Sequence, residues 1–378
     1  MNRRLAIVVC CLLAVAAANS AAIKPAQAAK TVRLLTVGNS FSRNATRFLG
    51  DLAAADGNVL VHHQAYIGGS TMAQHWEKVE QHEKDPQDKR GLYASGSSLE
   101  QELRAEPWDF VTIQQASIRS HDLATYQPYA GRLQAYIHKY APQAEILLHQ
   151  TWAYRRDDPR FAVASPAPGE PATQEAMYAG LTHAYRAIAA ELKVRLIPVG
   201  DAFHRADTDP VWGYRPDTKF DFKNAKPPAL PDQTHSLHVG WRWQKQRNGT
   251  TALGMDGHHA NMAGEYLGAC VFYEVLFGRS PVGNAFVPQG LDPAYAQFLQ
   301  KTAHQAVVDA SNRPGQRATS RSTTPRPVRE LPSFSADQLQ RHGDGAPIER
   351  RSEAGRLYEC ENPGNLTAIV NHSVDRRS

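Results

Sequence analysis

From Val32 to Val199 the sequence alternates short strand-like runs with longer segments whose apolar residues recur at helical spacing. The runs are Val32–Gly38, Asn58–Tyr66, Phe110–Ile113, Ala144–His149 and Val194–Val199. Helical patterns start at Asn44 and cover Met72–Val79, Leu99–Leu103, Tyr126–Tyr140 and Glu175–Leu192. Strands joined by helical segments are free to run parallel, and a parallel sheet has both faces covered. The pattern therefore predicts an α/β fold with a five-stranded parallel sheet between helices. In such sheets the working groups gather outside the carboxyl ends of the strands. Ser40, Gly68, Gly69, Gln114, Gln115, His149 and Gln150 all fall at or just beyond a strand end, so residues far apart in sequence should share one rim.

The first strand runs into Gly38-Asn39-Ser40-Phe41-Ser42 and then a helical pattern. A serine at such a turn has its hydroxyl at the open end of the sheet. Its backbone N–H lies near a helix N-terminus, where partial positive charge favours an oxyanion. The plainer role for Ser40 or Ser42 is to cap the helix. A second glycine-rich turn, Ile67-Gly68-Gly69-Ser70, ends the second strand, and glycine lets the backbone approach a ligand closely.

Past the fifth strand, Thr208–Leu253 is rich in proline and aromatic residues and reads as a long ordered loop. Arg155–Pro171 reads as another loop. Met255-Asp256-Gly257-His258-His259-Ala260-Asn261 then precedes helices over Met262–Phe277 and Pro293–Ala310. Acyl transfer needs a nucleophile, a base, a group orienting the base, and oxyanion donors. A tight turn at Gly257 would set Asp256 against Nδ1 of His259 and aim Nε2 at Ser40. That offset favours His259 over His258, which reads as exposed or structural. The donors would be the Ser40 backbone N–H, a backbone N–H of Gly68 or Gly69, and a side-chain amide of Gln114 or Gln115.

The 378 residues suit one sizeable domain with a tail, divided as 1–28, 29–310 and 311–378. Arg3 and Arg4 precede an apolar run from Leu5 to Ala18 and small residues at Ala26-Gln27-Ala28, the pattern of a secretory signal. The run is shorter than the ~20 residues of a spanning helix, which predicts an exported, secreted or periplasmic protein with no stable membrane insertion. From Ser311 on, arginine, serine, threonine and proline dominate, which predicts a disordered tail. The net charge of +5 sits at the two ends, and the body is close to neutral, so a nucleic-acid partner is not expected. Of the four cysteines, Cys10 and Cys11 lie in the signal-like run; Cys270 reads as a buried thiol.

Taken together, these blocks resemble the SGNH (GDSL-like) hydrolase superfamily, in particular a secreted bacterial branch with a GNSFS-type first block. The matching pieces are Gly38–Ser42, Tyr66–Ser70, Thr112–Gln115 and Asp256–His259. The resemblance implies a flavodoxin-like three-layer α/β/α sandwich and a serine esterase or lipase-type hydrolase without a metal or other cofactor. By position, Ser40 would be the nucleophile, His259 the base and Asp256 its orienter. The family's third block usually reads Gly-x-Asn-Asp; here the strand ends in Gln114-Gln115-Ala116-Ser117.

Members of that superfamily often deacylate carbohydrates, so the expected substrate is a small acyl ester, O-acetyl on a glycan. Trp152, Tyr154 and Trp241, with Trp212 and Trp243, are candidates for sugar-stacking walls; their plainer role is core packing. Two other functions fit parts of the sequence. The altered third block suits a non-catalytic glycan-binding protein on the same scaffold. His235 and His238, with His258 and its neighbours, suit a metal-dependent hydrolase. Oligomeric state is not legible.

Overall fold

The computed structural model describes residues 28–163 and 169–313. The signal-like segment up to Gln27 and the tail from Pro314 lie outside the described residues. Five strands form a parallel sheet in the order β2-β1-β3-β4-β5: β1 (Thr31–Gly38), β2 (Val59–Tyr66), β3 (Phe110–Ile113), β4 (Glu145–His149) and β5 (Arg195–Ile197). All five are the strands expected from the sequence. β1 is an interior strand, buried from Leu34 to Gly38, which is why it reads as an apolar run rather than an alternating one.

Helices cover both faces. α3 (Met72–Lys84), α4 (Leu99–Ala105), α5 (Tyr129–Tyr140) and α6 (Gln174–Leu192) pack with one another as one layer. α1 (Ser40–Ala45), α2 (Leu49–Ala55), α8 (Met262–Phe277) and α9 (Pro293–Ser311) form the other, and α7 (Val199–Thr208) packs against α6, α8 and α9. This is the three-layer α/β/α sandwich. α8 is apolar all round and buried on nearly every side, including the free thiol of Cys270, whose proton burial holds more tightly than usual. α9 runs one residue past the expected boundary, and Arg313 beyond it pairs with the buried Asp201 at 2.9 Å, so the folded body ends later than position 310.

Strand order reverses between β1 and β3, the place where a ligand crevice opens in a sheet of this order. Register lines up the rim: Val37 pairs with Ile113, Ile113 with Leu148, and Gly38 with Tyr66.

The expected loop over Thr208–Leu253 is not wholly a loop. His238–Lys245 forms β6, which pairs antiparallel with β7 (Thr251–Ala260). Val239, Trp241 and Trp243 do alternate with Gly240 and Arg242, but the ribbon is half-exposed, so its period of two is diluted by polar and glycine positions. Buried Arg155, in the loop after β4, ties the ribbon down. Its guanidinium donates to Gln233 Oε1 at 2.7 Å and Ser236 Oγ at 3.2 Å, pairs with Asp157, and lies over the Tyr214 ring. Gly240 closes over this group with φ +73°, and a Cβ there would overlap Gln233 Oε1 and Arg155 Nη1. Gly240→Ala is accordingly expected to cost about 2–4 kcal/mol. A drop of several degrees in the melting temperature, with far-ultraviolet circular dichroism retained, checks it.

Candidate active site

The β1–α1 turn is built around Asn39. Asn39 Oδ1 accepts from the Phe41 N–H at 3.0 Å and so caps α1, leaving Ser40 as the first helical residue. Its Nδ2 donates to Ser70 O at 2.8 Å, which ties the turn to the glycine-rich turn after β2. The capping role weighed for Ser40 and Ser42 thus belongs to Asn39, and the Ser40 hydroxyl is released to the rim. Gly38 is required here because a Cβ would press on Ser42 Oγ and the Gln114 side chain.

The opposite wall is the end of β7. In a regular strand, residues three apart point to opposite faces, yet Asp256 and His259 meet. The register explains it. Gly240 pairs with Asp256 and His238 with Ala260, so a two-residue step on β6 faces a four-residue step on β7. β7 bulges over Gly257–His259, and a bulge re-aims the side chains that follow it. Asp256 Oδ1 accepts the His259 backbone N–H at 3.1 Å inside the bulge. The Arg155 N–H donates to Gly257 O at 2.7 Å, and Trp152 Nε1 donates to His258 O at 2.9 Å, so the loop after β4 pins the bulge from below. A Cβ on Gly257 would overlap the Asp158 carboxylate. The expected tight turn is therefore a strand bulge, with the same consequence for the side chains.

The result is a continuous relay. Ser40 Oγ lies 2.9 Å from His259 Nε2, across 219 positions of sequence, and His259 Nδ1 lies 3.1 Å from Asp256 Oδ2. A carboxylate only accepts, so the neutral imidazole carries its proton on Nδ1 and Nε2 is left to accept from the serine hydroxyl. Burial pushes the Asp256 carboxyl upward, but the His259 hydrogen bond and the two neighbouring imidazoles outweigh it and hold the group well below the usual carboxylate range. Arg242 adds a more distant cation at 3.7 Å. Burial lowers the His258 pKa, against the pull of Asp256. With its amide oxygen kept on the His259 backbone N–H, Asp256→Asn would place an NH2 donor where Oδ2 now accepts from His259 Nδ1, and so would favour the wrong tautomer. On this geometry it is expected to reduce kcat by ~10⁴-fold with little change in KM, measured by steady-state ester hydrolysis.

Neither glutamine offers its amide to an oxyanion, contrary to the expectation from the sequence. Gln114 and Gln115 are fully buried. Gln114 Nε2 donates to Asn39 Oδ1 at 2.8 Å and to Gln115 O, while its Oε1 accepts from Ser42 Oγ and faces His149 Nδ1 at 3.2 Å. Gln115 Nε2 donates to Thr125 O and Oγ1, and its Oε1 accepts from the Met72 and Ala116 N–H groups. Both amides are spent on buried partners, Gln114 bracing the β1–α1 turn and Gln115 tying the end of β3 to Thr125 and the start of α3, rather than facing an oxyanion at Ser40. The remaining donors of the expected set are backbone: the Ser40 N–H in the first turn of α1, which has no intrahelical acceptor, and the exposed Gly68 and Gly69, the latter at φ +65°.

The aromatic candidates also divide. Trp152 is fully buried, stacked on Phe203 at 4.4 Å and against Phe41 at 4.3 Å, so it packs the core beneath α1 and is no sugar wall. Tyr154 is buried as well, its hydroxyl 3.0 Å from Ser117 Oγ. Trp212 stacks on Tyr295 and Phe298. Trp243 is half-buried and donates to Ala229 O. Trp241 is half-exposed on the ribbon that carries Asp256, beside Phe222.

His235 and His238 do not join a metal site. His238 is buried with Nε2 on Ala153 O at 3.1 Å, and His235 packs against Trp212 and Tyr295. Among the described residues, the histidine and carboxylate groups that do come together are Asp256, His258 and His259, two of which are the relay.

Residues 33–213 match the model of a family described as a domain of unknown function, DUF4886. That stretch contains Ser40, both glycines and both glutamines, and ends before the ribbon that carries Asp256 and His259. No curated protein matches the chain. The crystal structure of a DUF4886 family protein from Bacteroides uniformis is similar to it, with 24% identity and a TM-score of 0.55 over 74% of this chain and 95% of that one. An inferred SGNH hydrolase from Slackia heliotrinireducens matches at 20% identity and a TM-score of 0.39, over 65% of this chain and 98% of that one. For an inferred GDSL-like lipase from Parabacteroides merdae the values are 15% and 0.35, over 67% and 98%.

Proposed function

We propose that this chain, which has the fold of the SGNH (GDSL-like) hydrolases, is a serine esterase that removes small acyl groups through Ser40, His259 and Asp256. The observation that carries the reading is the unbroken run of contacts from Ser40 Oγ to His259 Nε2 and from His259 Nδ1 to Asp256 at the carboxyl rim of the sheet.

In that mechanism Ser40 Oγ attacks the ester carbonyl as its proton passes to His259 Nε2. The imidazolium that forms is stabilised by Asp256. The carbonyl oxygen, now an oxyanion, is met by the backbone N–H groups of Ser40 and of Gly68 or Gly69. Collapse of the tetrahedral intermediate expels the alcohol, which takes the proton from Nε2 and leaves Ser40 acylated. Water then attacks the acyl-serine, giving its proton to Nε2. The second collapse returns that proton to Ser40 Oγ and releases the acid.

The substrate we infer is an O-acetyl ester on carbohydrate, met outside the cytoplasm as a secreted or periplasmic protein. Two features support it. The His259 side chain is 35% exposed, so the relay is open to an ester projecting from a bulky polar alcohol. Trp241 and Phe222 also offer aromatic faces on the ribbon that bears Asp256.

The test is acetate release from acetylated xylan, and hydrolysis of p-nitrophenyl acetate, by wild type and by Ser40→Ala. A fluorophosphonate probe should label wild type at Ser40 and leave Ser40→Ala unlabelled. The inward-facing Gln114 and Gln115 amides favour one competing reading, a glycan-binding protein that has lost catalysis. Glycan binding without labelling or acetate release would establish it instead.

A further inference from the structure

Asp256 is approached by two imidazoles. His259 Nδ1 lies 3.1 Å from Oδ2, and His258 Nδ1 lies 3.3 Å from Oδ1. The two rings sit side by side, centroids 4.2 Å apart. One ligand atom from each of the three residues falls within a span of 4.8 Å. Four-coordinate zinc, with bonds of ~2.0–2.2 Å, sets neighbouring ligand atoms about 3.3 Å apart. From Asp256 Oδ1 alone, His259 Nδ1 lies at 3.2 Å and His258 Nδ1 at 3.3 Å, both already close to that edge length. Two imidazole nitrogens and a carboxylate oxygen also form a donor set that Zn²⁺ favours. The side chains of Asp256, His258 and His259 are 12%, 38% and 35% exposed, so an ion can reach them and water can complete its shell.

We propose that Asp256, His258 and His259 form a binding site for a divalent transition cation, best matched by Zn²⁺, whose occupancy switches the relay off. The switching half rests on the esterase reading; the binding half does not. In the free relay the His259 proton sits on Nδ1. To ligate through Nδ1 the ring presents that lone pair, and the proton transfers through solvent to Nε2, with no net gain or loss. Nε2–H then faces Ser40 Oγ and has no lone pair to take the hydroxyl proton. Asp256, engaged by the cation, no longer holds the opposite tautomer. Arg242, 3.7 Å from Asp256 Oδ2, opposes the ion, but its side chain is 49% exposed and free to swing into water.

Calorimetric titration of ZnCl₂ into the Ser40→Ala protein reads binding without any need for activity. One saturable ion per chain is expected. Adding His258→Gln should weaken it at least ~10-fold, since even groups that only support a metal ligand are worth ~10–100-fold in affinity. Adding Arg242→Gln should tighten it. Wild-type ester hydrolysis should fall as Zn²⁺ is added and recover with EDTA. No saturable binding to Ser40→Ala, or undiminished affinity after His258→Gln, overturns the proposal. If His258→Gln does not fold, Co²⁺ added to the Ser40→Ala protein should give the intense visible absorption of a four-coordinate ion; the pale spectrum of hydrated Co²⁺ alone counts against the site. Hydrolysis that persists at saturating Zn²⁺ overturns the switch. Zinc binding by a wild type that hydrolyses no ester leaves the site standing and removes the esterase reading.

Discussion

Ser40→Ala is expected to lower ester hydrolysis by ~10⁴–10⁶-fold, with the residual rate supplied by binding and oxyanion donors alone. The fall should appear in kcat rather than KM, because the hydroxyl contributes to bond making and not to the resting position of the ester. The same substitution should leave the melting temperature unchanged. Ser40 is only half-buried, and its side chain makes one hydrogen bond, to His259 Nε2, while the cap of α1 is provided by Asn39. Loss of activity with an intact fold is therefore separable from unfolding. Substrate turnover and thermal denaturation on the same preparation make the measurement. Comparable turnover by the two proteins would remove Ser40 from the chemistry and, with it, the role of His259.

Acid should destabilise the protein steeply below neutrality. Burial lowers the pKa of His75, His149 and His238 to about 3 and that of His62 to about 4, from an ordinary 6.5. Thr36 and Ala153 O hold His62 and His238, and His75 lies between Ser70 and Tyr93; none of these is a charged partner that would favour the imidazolium. Between pH 6.5 and these folded-state values the unfolded chain binds protons that the native chain refuses. Unfolding is then promoted as pH falls, and stability rises with pH through the same window. Each group is worth about 1.4 kcal/mol per pH unit, so at pH 5 the four together cost about 8 kcal/mol.

Asp207 works in the opposite sense. Burial raises its carboxyl to about 7, so the native state gains protons first and recovers about 3 kcal/mol by pH 5. Glu265 and Glu274, also raised by burial, add to that recovery. The histidines still dominate, and the deficit is a large part of the ~5–15 kcal/mol by which a domain is stable. Urea denaturation at pH 7.5 and at pH 5.0 should show a marked fall in midpoint at the lower pH. A flat or inverted profile would mean that these imidazoles are not held neutral inside.

β1, β3 and β4 were legible because a strand covered on both faces is apolar along nearly its whole length, which depends only on its own composition, whereas the half-exposed edge strand β2 was marked by its opening Val59-Leu60-Val61 and the glycine-rich turn that ends it. β6 was not legible, because a half-exposed two-stranded ribbon carries glycine, arginine and glutamine among its tryptophans. The Asp256–His259 offset was legible as a pair, but its shape was not. A turn and a bulge both bring the two side chains together, and only pairing with Gly240 and His238 distinguishes them. Arg155 left no signal at all: an arginine in a loop rich in charge reads as solvated until the ribbon closes over it.

The sequence by itself determined the sheet, the rim on which Ser40 must lie, and the residue types able to pass a proton along it, since all of these follow from local periodicity and side-chain chemistry. Tertiary structure alone decided which hydrogen-bonding groups remain free at that rim. Gln114 and Gln115 could serve an oxyanion only if nothing inside claimed their amides, and Asn39 and Thr125 claim them. Trp152 could stack on a sugar only if Phe203 did not cover it first. Burial and partner choice are settled by neighbours brought in from distant positions, and a buried polar group satisfies itself inside the fold before it is available to any ligand.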